Sequence, residues 1–166
     1  MTPAPQERAT EGANDIVVTR TFDAPRELVW KVWNDPAAMQ HWWGPKGYTG
    51  HSCSIDLRVG GRYHFCMRAP NGTDMWNTGV FIEVEPPARL VCTQSLSDAE
   101  GNVLPLPSHL GMPADHTTLT VTFEDLGEKT RLTLRHSGFP AGDPFGAGKA
   151  WTQALEKVAA CVAAER

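Results

Sequence analysis

The side chains best suited to chemistry are six histidines and four cysteines. The histidines are His41, His51, His64, His109, His116 and His136. No HExxH is present, and no two of them stand at a recurrent metal-ligand spacing. Cys53, Cys66, Cys92 and Cys161 form no CxxC pair and no zinc pattern, so no metal, no cofactor and no disulfide is expected. His51 with Cys53, and His64 with Cys66, share faces within their strands. They would meet only in one hairpin register, which a one-residue slip abolishes. No GxSxG elbow offers a nucleophile. Asp56, Glu83 and Glu85 lie on strands without an evident partner, and Asp56 with Arg58 reads as a surface ion pair. "RVGGR" is a hairpin turn, because no GKS or GKT follows it. No residue is therefore assigned a catalytic role.

His136 stands apart. It is in phase with Leu132 and Leu134, the buried face of "TRLTLRH". A buried imidazole needs hydrogen-bond partners. Two readings are open: a satisfied core histidine, or a polar group that orients a ligand in an apolar pocket. Around it the sequence supplies many bulky apolar groups. Trp43, Phe65, Met67, Trp76, Phe81, His136 and Trp151 are the expected lining of such a pocket, with Met75 and Phe139 converging on the same interior. "MQHWWGPKGY" adds a puzzle, since two adjacent tryptophans precede a helix stop. One can plug the core while its neighbour, about 100° round the helix, points elsewhere.

These side chains must be held by a framework. "IVVTRTF" (16–22) reads as a strand. Two short helices follow between Pro25 and Trp42, with Pro25 and Asp35-Pro36 as starts and Gly44-Pro45 as the stop. "CSIDLRVGGRYHFCMR" is a hairpin turning at Gly60-Gly61. "MWNTGVFIEVE" and "ARLVCTQSL" are two further strands. "TTLTVTF" and "TRLTLRH" give the clearest period-two alternation, as in an antiparallel sheet wet on one face. Ser97 to Pro113 has no clean period and suits a lid or a disordered connection. Trp151, Leu155, Val158 and Val162 form one helical stripe starting near Gly148. A cupped sheet with a dry face needs a cover, and this helix is the only long element able to provide it. One helix cannot fill the cup, which leaves room for a cavity.

Composition sets the outer bounds. The 166 residues favour one domain, expected over 14–166, with a disordered tail over 1–13 rich in Pro, Ala, Thr and Glu. A chain of that size buries roughly 70% of its unfolded surface and needs no staple. The net charge of −4, without a basic run, argues against a nucleic-acid partner. No apolar run is long enough to insert in a membrane, and no secretory signal opens the chain. Reduced thiols in the cytoplasm are expected.

"FDAPRELVWKVWNDPAAMQHWWGPKGY", "DLRVGGRYHFCMR", "EVEPPARLV" and "TRLTLRHSGFP" together resemble, in that order, the activator of heat-shock-protein ATPase homologue (AHSA) family. That family lies within the SRPBCC, or START-like, superfamily. The resemblance covers about Ile16 to Ala163. It departs just before the last tryptophan, where Lys149 and Ala150 replace the His or Gly of many relatives. It implies an α+β helix-grip fold, a curved antiparallel sheet wrapped around a long C-terminal helix. The family motifs do not single out a ligand, and the expected function is non-catalytic binding of a small hydrophobic molecule in the cavity between the sheet and the C-terminal helix. Alternatives are a cyclase or dehydratase acting on a polyketide-like substrate, with His136 as its acid–base group, and a co-chaperone-like module contacting a chaperone. Homodimerisation is a further expectation about partners.

Overall fold

The computed structural model describes residues 15–106, 109, 112, 115–140 and 142–165. The tail expected at 1–13, and part of the 97–113 segment, lie outside these residues. The elements run β1 (Ile16–Phe22), α1 (Arg26–Asn34), α2 (Pro36–Trp42), β2 (Thr49–Ile55), β3 (Arg62–Arg68), β4 (Asp74–Glu85), β5 (Arg89–Ser97), β6 (Thr117–Asp125), β7 (Thr130–Ser137) and α3 (Ala147–Glu165). All seven strands form one antiparallel sheet in the order β1-β7-β6-β5-β4-β3-β2. Six strands meander in sequence, and β1 closes the far edge beside β7. Irregularities between Gly50 and Ser52, and between Phe81 and Glu83, interrupt the ladders. Such bulges increase local twist and help the sheet curl.

Alternation decides which face is dry. On β6, Thr117, Leu119, Val121 and Phe123 are buried; on β7, Thr130, Leu132, Leu134 and His136 are. Facing them is the stripe of α3, Trp151, Ala154, Leu155, Val158 and Val162. Asp143 starts this helix, its carboxylate accepting from the Ala147 N–H (2.8 Å) and the Gly148 N–H (3.0 Å). Both donors belong to the first turn, which has no intrahelical acceptors of its own. The helix thus begins one residue before Gly148.

The two short helices seal one end of the cup. Pro25 precedes α1 as its cap and does not occupy the first helical position, its carbonyl accepting from the Leu28 N–H at 3.0 Å. Asp35 caps α2 by accepting from the Ala37 N–H at 3.0 Å, with Pro36 at the first helical position as expected. Val32 lies in the last turn of α1, where carbonyls have no intrahelical donor because the chain turns extended at Asp35. The Trp42 indole N–H supplies that missing donor at 3.1 Å. Trp42 is fully buried, and its ring lies 4.5 Å from that of Trp33. One of the paired tryptophans is therefore a structural plug that repairs a carbonyl left over by the helix–helix junction.

Beyond Trp43 the chain is held by Lys157 of α3. Its ammonium donates to the carbonyls of Pro45 (3.1 Å), Tyr48 (3.4 Å) and Trp43 (3.5 Å). Partial burial lowers the Lys157 pKa from its ordinary value. Lys157→Met keeps the stem and removes the charge. It should cost about 1–2 kcal/mol, below the upper range for charged hydrogen bonds because the site is partly solvated. Urea denaturation followed by circular dichroism reads this, and an unchanged midpoint would show that the clamp is dispensable.

Candidate ligand-binding site

Between the open half of the sheet and the N-terminal half of α3 lies a chamber of about 400 Å³. Its floor comes from Met67 on β3, Met75 and Asn77 on β4, and Gln94 and Leu96 on β5. Thr117 and His136 close one side, and Ala150, Trp151 and Ala154 of α3 form the roof. Trp43, Gly44 and Pro45 wall it where α2 ends. Phe139 and Phe145, from the β7–α3 connection, and Leu106 and Met112, from the β5–β6 connection, edge the mouth. Gly44 is needed here. Its φ is +92°, and a Cβ would stand 2.8 Å from the Met67 sulfur. The backbone can approach the chamber floor only without a side chain.

Of the seven residues singled out from sequence, Trp43, Met67, His136 and Trp151 line this chamber. Phe65 and Phe81 face the same interior, but deeper. Phe65 is buried with its ring 4.1 Å from Trp43, and Phe81 borders a second, minor void of about 20 Å³. Trp76 lies on the opposite face of β4, its ring stacked on His64 at 4.7 Å. The inward neighbours of Trp76 are Met75 and Asn77. Asn77 was not anticipated, although it shares parity with Phe81 along β4. Gln94 and Phe145 were also missed, and Phe145 has no periodic signal because it lies outside a regular element.

The hydrogen bonds settle the state of His136. The Trp151 indole N–H donates to its Nδ1 at 3.0 Å. A neutral ring then carries its proton on Nε2, which lies 2.7 Å from the Thr117 hydroxyl oxygen. That hydroxyl donates onward to the Gln94 carbonyl at 3.3 Å. Burial pulls the His136 pKa from 6.5 down to about 3. Both ring nitrogens are occupied, so the reading as a satisfied core histidine describes it.

The remaining reactive groups are dispersed. Cys53 pairs in register with Phe65, and Cys66 with Ser52, so the two histidine–cysteine pairs do not meet. Among the described residues no group of three His, Cys, Asp or Glu could hold a metal. The four cysteines are free, and burial pushes Cys92 up to about 12 and Cys53 to about 11. Asp56 and Arg58 form an exposed ion pair at 2.8 Å. Among the described residues no helix is long and apolar enough to cross a membrane. Part of the 97–113 segment is ordered by its own turn. The Asp98 carboxylate accepts from the N–H groups of Glu100 and Asn102, each at 2.9 Å, and these bonds lower its pKa.

Known structures share this fold. A protein from Nitrosomonas europaea superposes with a TM-score of 0.76 at 23% identity, over 92% of this chain and 96% of its own. One from Chromobacterium violaceum gives 0.73 at 28% identity, over 91% and 98%. An AHSA1 protein from Silicibacter pomeroyi gives 0.70 at 24% identity, over 92% and 99%. These likenesses bear out the helix-grip architecture. No curated protein matches the chain in sequence. The model of the Activator of Hsp90 ATPase homolog 1-like family matches residues 23–163, nearly the whole described fold. The chain therefore belongs to the Activator of Hsp90 ATPase homolog 1-like family.

Proposed function

We propose that this protein binds a small, largely apolar molecule in the chamber between sheet and α3, without transforming it. The supporting observation is the chamber itself, about 400 Å³ of space walled mainly by Trp, Met, Phe, Leu and Ala. That volume and lining suit a small-molecule site. Among the described residues Asp115 and His116 stand at the exposed rim, and His136, the acid–base group in the buried wall, argues for binding over turnover. It has no proton to give near neutral pH, and accepting one would sacrifice its bond from Trp151. We place this activity in the cytoplasm, where the four free thiols would stay reduced. The partner we propose is a small molecule, not nucleic acid or membrane lipid in a bilayer. The family description names an ATPase activator, and no described feature carries that reading over.

Met67→Trp tests the proposal. Met67 lies at the chamber floor beside Gly44, where a larger ring has empty space to enter. In a solid core such overpacking costs ~1–3 kcal/mol. Here the variant should lose less, and should lose ligand binding. A saturating apolar ligand should stabilise wild type by about 2.7 kcal/mol at a hundredfold excess over Kd, and leave Met67→Trp unmoved. A thermal-shift screen of hydrophobic compounds on both proteins measures this. No stabilising compound for wild type, together with an unfolded variant, would mean that the interior is a packed core.

A further inference from the structure

The chamber contains a polar group that the fold does not use. Asn77 is only 5% exposed, on the inward face of β4 in register with Phe65 of β3. Its amide lines the chamber and makes no side-chain hydrogen bond with the described residues. Ser95, the other buried polar residue of the wall without a side-chain hydrogen bond to the described residues, carries only a small hydroxyl, whereas the remaining two are engaged. His136 and Thr117 bond one another, and Thr117 also bonds the Gln94 carbonyl. A buried amide without a partner costs stability unless something else supplies one. Gln94, half-buried on the adjacent strand, presents a second amide to the same space. The charge is as informative as the amides. Among the described residues no Lys or Arg lines the chamber, and the sequence from 97 to 116 contains neither. The acidic residue at that mouth is Asp115.

Resting on the binding function proposed above, we infer that Asn77 is a specificity-determining residue that selects an uncharged ligand head group. The ligand class is an apolar body ending in a neutral donor–acceptor group, such as a primary amide, or in a ketone or hydroxyl. Asn77 offers both an N–H donor and a carbonyl acceptor, so either kind of neutral head can pair with it. A carboxylate head would enter a mainly apolar site with no Lys or Arg among its described lining and would bind poorly.

Three probes of matched shape test this by calorimetry at pH 8: 2-naphthamide, 2-naphthoate and 2-ethylnaphthalene. Wild type should bind naphthamide at least about tenfold more tightly than naphthoate. The substitution Asn77→Leu, nearly isosteric, should weaken naphthamide by about three- to tenfold, the usual worth of one neutral hydrogen bond. It should leave ethylnaphthalene unchanged or bound more tightly. Naphthoate binding as well as naphthamide would overturn the inference, as would an Asn77→Leu variant that keeps its naphthamide affinity. Those results, with ethylnaphthalene still bound, leave the apolar-binding function standing. Failure of all three probes to bind wild type would overturn both. The wild-type comparison decides the matter even if the variant is unstable.

Discussion

Trp42→Ala is expected to be among the most damaging single substitutions in this protein, costing about 3–5 kcal/mol. Three losses coincide. A fully buried ring disappears, its tilted contact with Trp33 goes with it, and the Val32 carbonyl in the last turn of α1 is left without its donor. For a domain of ordinary stability that is a large fraction of the total. Trp43→Ala, one position on, should cost about 1–2 kcal/mol less, because its ring already borders open space and truncation creates less new cavity. Trp42→Phe separates the terms. It keeps an aromatic ring and loses the hydrogen bond, so about 1–3 kcal/mol should remain. Urea denaturation of the three variants measures the differences. Equal losses for the alanine variants at 42 and 43 would contradict the division of labour between the two tryptophans.

The second large effect is on pH dependence. His136 is neutral when folded and has a pKa near 3, whereas in the unfolded chain its value is the ordinary 6.5. Between these values the unfolded state binds a proton and the folded state does not, so stability falls as pH falls. The contribution is fully present above about 6.5 and declines by about 1.4 kcal/mol per pH unit below it. Carboxylates add their own dependence, so the informative quantity is the difference between wild type and His136→Gln. Glutamine offers a neutral donor and acceptor to Thr117 and Trp151. The variant should be less stable than wild type at pH 7, and the two should converge by about 2 kcal/mol on going to pH 5. Parallel stability curves would show that the imidazole is protonated in the folded state.

How far the sequence could be read depended on whether one strand's own pattern settled the matter. On β6 and β7, threonines and arginines alternate with Leu119, Val121, Leu132 and Leu134, and the inward face follows directly. The stripe through Trp151 and Leu155 fixed α3 in the same way. On β4, Met75 and Trp76 are both large and apolar, so their order alone does not say which points inward. The pairing of Asn77 with Phe65, and of Met75 with Met67, decides it. Trp76 then falls on the outer face. Depth along a strand is a second blind spot. Phe65 and Phe81 have the inward parity, yet they stand beyond the chamber in close-packed core, because the short helices fill that end of the cup. The role of Trp42 was only half legible. The Asp35-Pro36 break marks where the last carbonyls of α1 lose their donors, but nothing local says that an indole from the next helix would serve one of them.

The tryptophans also give the most direct test of a ligand-filled chamber. Trp43 and Trp151 wall it, Trp76 lies on the outer face against His64, and Trp30 packs in the core against Phe123. Nuclear magnetic resonance resolves their indole N–H signals, and 2-ethylnaphthalene, which has no polar group, is the titrant. The expected result is a saturable shift of the Trp43 and Trp151 signals, with Trp76 and Trp30 stationary. No shift, or movement confined to Trp76, would contradict binding inside the cup.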